Sequence, residues 1–99
     1  MVKSKQVKLK EYVVVVQWYS YSGRWPKQQA ERIKLLFGYL NPHCYHVPYS
    51  LVLSQYYLVA ASYKSEKKAD DLVRKLKTLG FNSAYVGKAS NWKVYEKVW

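Results

Sequence analysis

Four segments of the chain have the composition of β-strands, rich in valine, tyrosine and other residues of high β-propensity. The first and third of them are apolar at both odd and even positions, which is typical of central strands covered on both faces. Pro48 interrupts the second, so we expect an edge strand or a bulged one there. The predicted strands are residues 12–21, 43–54, 55–63 and 81–87, and residues 91–95 could add one more short strand.

Two segments between these strands carry apolar residues at three- and four-residue steps, the spacing of an amphipathic helix. In the first, Pro26 suits the opening turn, and Asn41-Pro42 ends the helix. In the second, Ser65 suits the N-cap and Gly80 a left-handed C-terminal cap. The apolar stripes are Ala30, Ile33, Phe37 and Leu40 in the first helix and Ala69, Leu72, Val73, Leu76 and Leu79 in the second.

The order of the elements is therefore β-α-β-β-α-β, and the two halves resemble each other. Ser20-Tyr21 ends the first strand as Ser62-Tyr63 ends the third. A doubled βαβ unit with right-handed crossovers predicts an α+β fold, a ferredoxin-like split βαββαβ sandwich. In that fold two helices cover one face of a four-stranded antiparallel sheet, here with room for an extra C-terminal strand, and the other face is free to bind.

This order predicts one domain with two extensions. Residues 1–11 are expected to form a basic tail or an edge strand, residues 12–88 the βαββαβ domain, and residues 89–99 a C-terminal extension. Val13-Val14-Val15-Val16 is shorter than the roughly 7–15 apolar residues of a signal-peptide core. The chain as written is expected in the cytoplasm, or in the cell envelope if it is excised from a longer protein.

Composition points to a basic binding protein. The 99 residues carry a net charge of +11, which favours anionic partners. Lys3, Lys5, Lys8 and Lys10 supply only four of these charges, so the rest of the chain is basic as well. There are eleven tyrosines and four tryptophans but two phenylalanines. Tyrosine and tryptophan have an apolar ring and a polar group, so they suit a surface that is partly exposed to solvent.

The pattern of reactive residues argues against an enzyme. Carboxylates are scarce, and no glycine-rich phosphate loop is present. Predicted helix surfaces or first turns carry Glu31, Glu66, Asp70 and Asp71. His43 and His46 of the sequence His43-Cys44-Tyr45-His46 would point to opposite faces of a strand, so they predict no metal site. With one cysteine, no internal disulfide can form. We expect no catalytic residues, no metal and no cofactor.

The residues also resemble a known family. Val16-Gln17-Trp18-Tyr19-Ser20-Tyr21 is similar to the first-strand signature of SPOR domains, Val-Gln-x-Gly-Ser-Phe. Ala61-Ser62-Tyr63-Lys64-Ser65 and the helix after it, through Gly80-Phe81, fit the family's repeat. The resemblance implies a ferredoxin-like domain that binds peptidoglycan glycan strands on its sheet face. It implies contact roles for Gln17 and Ser20, and for third-strand positions near Gln55 and Tyr57.

Strand alternation suggests how such a site would be arranged. Alternation places Gln17 and Tyr19 on one face of the first strand and Trp18 on the other. Tyr57 then lies on the same face as Gln17 and Tyr19, in the neighbouring strand. Exposed aromatic rings there could stack on bases or pack against sugar C–H faces. The alternative is that these tyrosines pack beneath the C-terminal extension. The predicted ligand-binding residues are Gln17, Tyr19, Ser20, Gln55 and Tyr57.

Two other functions fit the sequence. One is a cytoplasmic nucleic-acid-binding protein of viral or plasmid type, because RNA-recognition modules share this topology and place aromatic residues on the central strands. The other is a protein-binding inhibitor or adaptor. The oligomeric state stays open.

Overall fold

A computed structural model describes residues 9–20, 23–47, 55–92 and 95–99. The predicted edge-strand segment 48–54, most of the N-terminal tail and Tyr21 lie outside these ranges. The elements are β1 (Tyr12–Tyr19), α1 (Arg24–Leu36), β2 (His43–Val47), β3 (Gln55–Tyr63), α2 (Glu66–Thr78), β4 (Tyr85–Lys88), a 3₁₀ turn (Ala89–Asn91) and β5 (Glu96–Lys97).

The strands form one antiparallel sheet in the order β4-β1-β3-β2-β5. β1 and β3 are adjacent at its centre, and both helices lie between the predicted strands, so the ferredoxin-like α+β arrangement is confirmed. α1 ends at Leu36, earlier than the predicted end at Asn41-Pro42. The extra C-terminal strand is present as β5, beside β2, but it starts at Glu96 and not at residue 91. Neither helix of the described residues is long and apolar enough to span a bilayer.

Local signals explain where α2 begins and ends. The Lys68 backbone N–H donates to Ser65 Oγ at 3.4 Å, which satisfies one of the free N–H groups of the first turn. Gly80 adopts φ 100°, the left-handed conformation that favours glycine after a helix. Leu79, predicted in the apolar stripe, is 43% exposed, because it follows the last helical residue and turns away from the core.

The main core lies between the sheet and the helices. α1 contributes Ala30 and Ile33, and Phe37 continues its stripe just past the helix end. Burial of this shared apolar surface is the main source of stability for both helices. The buried residues are Val14, Val16, Tyr19, Ala30, Ile33, Phe37, Leu40, Leu58, Ala60, Ala69, Leu72, Leu76, Phe81 and Ala84.

A second, smaller core lies on the opposite face of the sheet. It contains Val13, Val15, Tyr45, Val47, Tyr57 and Val59. The C-terminal extension packs over part of it, with the Trp92 and Tyr57 ring centroids 4.9 Å apart and those of Tyr95 and Tyr45 5.8 Å apart. The predicted open face of the sheet is therefore partly covered, as the alternative from the sequence proposed.

An irregularity in the β1–β3 pairing changes which side chains share a face. The register shifts between Val14 and Val15 and again between Val15 and Gln17. Val16 lies in the helix-side core, and Gln17 pairs with Leu58, which lies in the same core. Because directly opposed residues share a face, Val16 and Gln17 both lie on the helix side. Alternation restarts at Gln17 with the opposite parity.

Candidate functional site

The sheet face turned away from the helices exposes two large aromatic side chains beside a buried one. Trp18 lies directly opposite Tyr57 in the β1–β3 register, so the two share this face. Tyr85 pairs with Val15, whose side chain lies in the core of the same face. Trp18 is 51% exposed and Tyr85 is 41% exposed. We call Trp18, Tyr57 and Tyr85 the aromatic face.

Tyr57 is fixed at the centre of this face from two directions. Its hydroxyl donates to Oε1 of Gln55, the buried amide two residues earlier on β3. Its ring packs against Trp92 at an interplanar angle of 32°. Burial raises the pKa of Tyr57, so the hydroxyl stays a neutral donor at physiological pH. Tyr57 therefore positions its neighbours more than it offers surface of its own.

Tyr85 lies near Tyr57 and keeps part of its ring in solvent. Burial raises the pKa of Tyr85, and repulsion between its phenolate and that of Tyr57 raises it further. The nearest neighbours of Gly87 in space are the Tyr85 ring and the Val15 side chain. A Cβ at that position would make only ordinary van der Waals contact with the Tyr85 ring, at 3.6 Å.

The structure divides the five predicted ligand-binding residues between two sides of the sheet. Gln55 and Tyr57 lie on the aromatic face. Gln17 and Tyr19 lie on the helix side, Gln17 exposed and Tyr19 buried in the main core. Ser20 is exposed just beyond the end of β1. The prediction that Gln17, Tyr19 and Tyr57 share one open face is wrong, because the register shift reverses the parity of β1 after Val16. The ligand roles of the five residues stay predictions.

Sequence reasoning missed Trp18 and Tyr85 as surface residues of the site. Uninterrupted alternation placed Trp18 with Val14 and Val16, which lie in the helix-side core. A bulge is hard to detect in a run of four valines, because every residue in it suits either face. Tyr85 is the first residue of β4, and strand alternation could have placed it on the same face as Gly87, two residues later.

The sequence His43-Cys44-Tyr45-His46 forms no reactive centre in this arrangement. Cys44 is fully buried, and burial raises the pKa of its thiol from 9.0 to about 11. A nucleophilic or metal-binding cysteine needs the opposite shift. His46 stacks on Tyr56, with ring centroids 4.7 Å apart. In the parts of the chain that the structure describes, no three His, Cys, Asp or Glu side chains come together as metal ligands would.

Comparison with known families supports the resemblance noted in the sequence. Residues 53–95 match the SPOR domain family. The SPOR match contains β3, α2, β4 and the 3₁₀ turn, and so includes Gln55, Tyr57, Tyr85 and Trp92. β1 and α1 lie outside it. No curated protein and no solved structure gives a significant match.

The SPOR match supports a peptidoglycan-binding module at the level of the family. The family is one of binding domains and is not catalytic. Three of the residues that build the aromatic face or support it, Tyr57, Tyr85 and Trp92, lie in the matched segment. Trp18 joins them only through the pairing of β1 with β3.

Proposed function

We propose that this protein is a non-catalytic module that binds peptidoglycan glycan strands on the aromatic face. The observation that carries the proposal is the exposed Trp18 ring lying directly opposite Tyr57, on the sheet face away from the helices. The match of residues 53–95 to SPOR domains supplies the class of polymer.

The chemistry of the aromatic face suits a sugar polymer. Pyranose rings present apolar C–H surfaces that pack on aromatic rings, and their hydroxyl and acetamido groups need hydrogen-bond partners. Trp18 and Tyr85 offer half-exposed rings, and Tyr85 adds a hydroxyl that remains protonated.

The first prediction compares two tryptophans of similar exposure on opposite sides of the molecule. Trp18 is 51% exposed on the aromatic face, and Trp25 is 58% exposed on α1. We expect Trp18→Ala to weaken co-sedimentation with sacculi stripped of stem peptides at least fivefold, as losing about 1 kcal/mol of contact would. Trp25→Ala should bind like wild type. Thermal melts establish first that both variants are folded.

Equal binding by Trp18→Ala and wild type would exclude the aromatic face as the site. Binding of a Tyr85→Ala variant to the same sacculi is a second, independent test of the aromatic face. Gln17→Ala and Ser20→Ala, run beside them, test the contact roles that the family resemblance implies for the first strand. A folded wild-type protein that does not sediment with stripped sacculi at all would overturn the proposed function itself.

A further inference from the structure

A recess lies on the helix side of the sheet, on the side opposite the aromatic face. It has a volume of about 280 Å³ and forms where β1, α1 and the segment after α2 meet. Its polar and aromatic lining comes from Gln17, Gln29, Arg32, Phe81, Asn82 and Ser83. The register shift in β1 is what turns Gln17 toward this side.

Arg32 provides this pocket with a positive charge. Its guanidinium carbon lies 5.4 Å from the centroid of the Phe81 ring, a cation–π contact that orients the side chain. Of the described acidic side chains, none lies within salt-bridge distance of Arg32; Asp71 pairs with Arg74, and Glu96 with His46. The five donors of this guanidinium are therefore available for a ligand carboxylate, which they can bind in a bidentate way.

Gln29 provides an acceptor that lacks a donor. Its Oε1 is buried, and no described group hydrogen-bonds to it. Buried polar atoms are nearly always satisfied, so a buried amide oxygen beside a cavity indicates a ligand N–H or water as its partner. Gln17, which lines the same pocket, is exposed and can contribute a further amide.

We propose that this pocket binds a compact carboxylate with a neighbouring amide N–H, the group found at the C-terminus of a short peptide. Arg32 holds the carboxylate, and Gln29 Oε1 accepts from the amide N–H. A recess of about 280 Å³ has room for a terminal residue or two. The site is separate from the aromatic face and does not depend on the proposed glycan function.

The second prediction uses two ligands that differ in the terminal group, a charged carboxylate in one and a neutral carboxamide in the other. ¹⁵N-labelled protein is titrated with N-acetyl-alanyl-alanine and with its C-terminal carboxamide. We expect the free acid to shift the side-chain amide signals of Gln17 and Gln29, with affinity at least about tenfold higher than that of the carboxamide, because only the acid forms charge-assisted hydrogen bonds with Arg32. This comparison uses the wild-type chain and needs no variant to fold.

Variants then assign the contact. Arg32→Gln should weaken binding of the free acid at least about tenfold. Arg24→Gln removes the same charge from the same helix, away from the pocket lining, and should bind like wild type. Gln29→Met keeps the shape of the side chain, removes the acceptor, and should also weaken binding.

Three results would overturn the proposal. The first is equal affinity for the free acid and the carboxamide, and the second is unchanged binding by Arg32→Gln. The third is no shift of the Gln17 or Gln29 amide signals up to about 10 mM ligand, which would mean a Kd weaker than about 10 mM. Binding of Arg32→Gln to stripped sacculi is measured in parallel and should equal that of wild type. Failure at this pocket is thus distinguishable from failure at the aromatic face.

Discussion

Cys44 illustrates at the residue scale how packing sets chemistry. The side chain has no exposed surface and lies opposite Leu58 in the sheet. Desolvation disfavours the thiolate, which raises the pKa of the thiol from 9.0 to about 11. The folded state therefore holds this proton more tightly than the unfolded state does. Cys44 behaves as a small apolar core residue with a titration beyond the physiological range.

The third prediction concerns this titration. Because the pKa of Cys44 is raised on folding, its contribution to stability is complete below about pH 9 and is lost as the pH rises through about 11. A shift of about two units corresponds to roughly 2–3 kcal/mol of unfolding free energy. Urea melts of wild type and Cys44→Ala at pH 7.5 and 11 should show the larger loss in wild type. Titrations of lysine and tyrosine are common to both proteins, so equal losses would contradict the predicted shift.

At the element scale, α2 depends on the residue that ends it. Gly80 has φ 100°, a region where a residue with a Cβ is strained, and a Cβ there would have no atom within 4 Å. Gly38 has the same open surroundings without the positive φ. The two glycines therefore separate the effect of backbone conformation from that of crowding.

The fourth prediction uses this pair. Gly80→Ala should lower the unfolding free energy by about 1–2 kcal/mol, because the left-handed conformation is costly for an L-residue. Gly38→Ala should be neutral or raise it by up to about 1 kcal/mol, since alanine restricts the unfolded chain. Denaturant melts measure both. A Gly80→Ala protein as stable as Gly38→Ala would show that the segment after α2 adopts another conformation at little cost.

At the same scale, the irregular register of β1 changes which candidate site residues share a face. It places Trp18 on the aromatic face and Gln17 in the helix-side pocket. Without it, the two side chains would exchange sides, since neighbouring strand positions face opposite ways. Both proposed sites therefore depend on the same local irregularity between Val14 and Gln17.

For the whole molecule, the dominant property is a net charge of +11. A charge of this size attracts any polyanion, so weak binding to nucleic acid is expected even from a protein whose specific ligand is a glycan. The salt dependence of affinity distinguishes binding to nucleic acid from binding to a glycan. Neutralised phosphates release counterions, so their contribution to binding falls steeply with ionic strength.

The fifth prediction follows from this difference. Between about 50 and 200 mM salt, binding to single-stranded DNA should fall by at least tenfold, whereas binding to peptide-stripped sacculi should change much less. Fluorescence anisotropy and co-sedimentation measure the two. DNA binding that falls with salt but is still tight at about 200 mM, beside weak binding to stripped sacculi, would favour the nucleic-acid function inferred as the alternative from the sequence. A matched salt response for both polymers would show that charge alone drives adsorption.

The sequence by itself determined the elements and their order. Strand and helix periodicities, the Ser65 cap and Gly80 are local signals, and they predicted the positions of both helices and of the central pair β1 and β3. Two βαβ units admit few topologies, so the ferredoxin-like fold followed from that order. Alternation is unbroken between Gln55 and Tyr57, which share a face in the structure.

Only the tertiary structure decided which residues share a surface. The run of four valines fits either face, so the position of the bulge depends on how β1 pairs with β3, a contact between residues more than thirty positions apart. Packing of Trp92 on Tyr57 also joins residues more than thirty positions apart in the sequence. Such contacts are selected by the burial of shared apolar area across the whole sheet, and no local pattern encodes them.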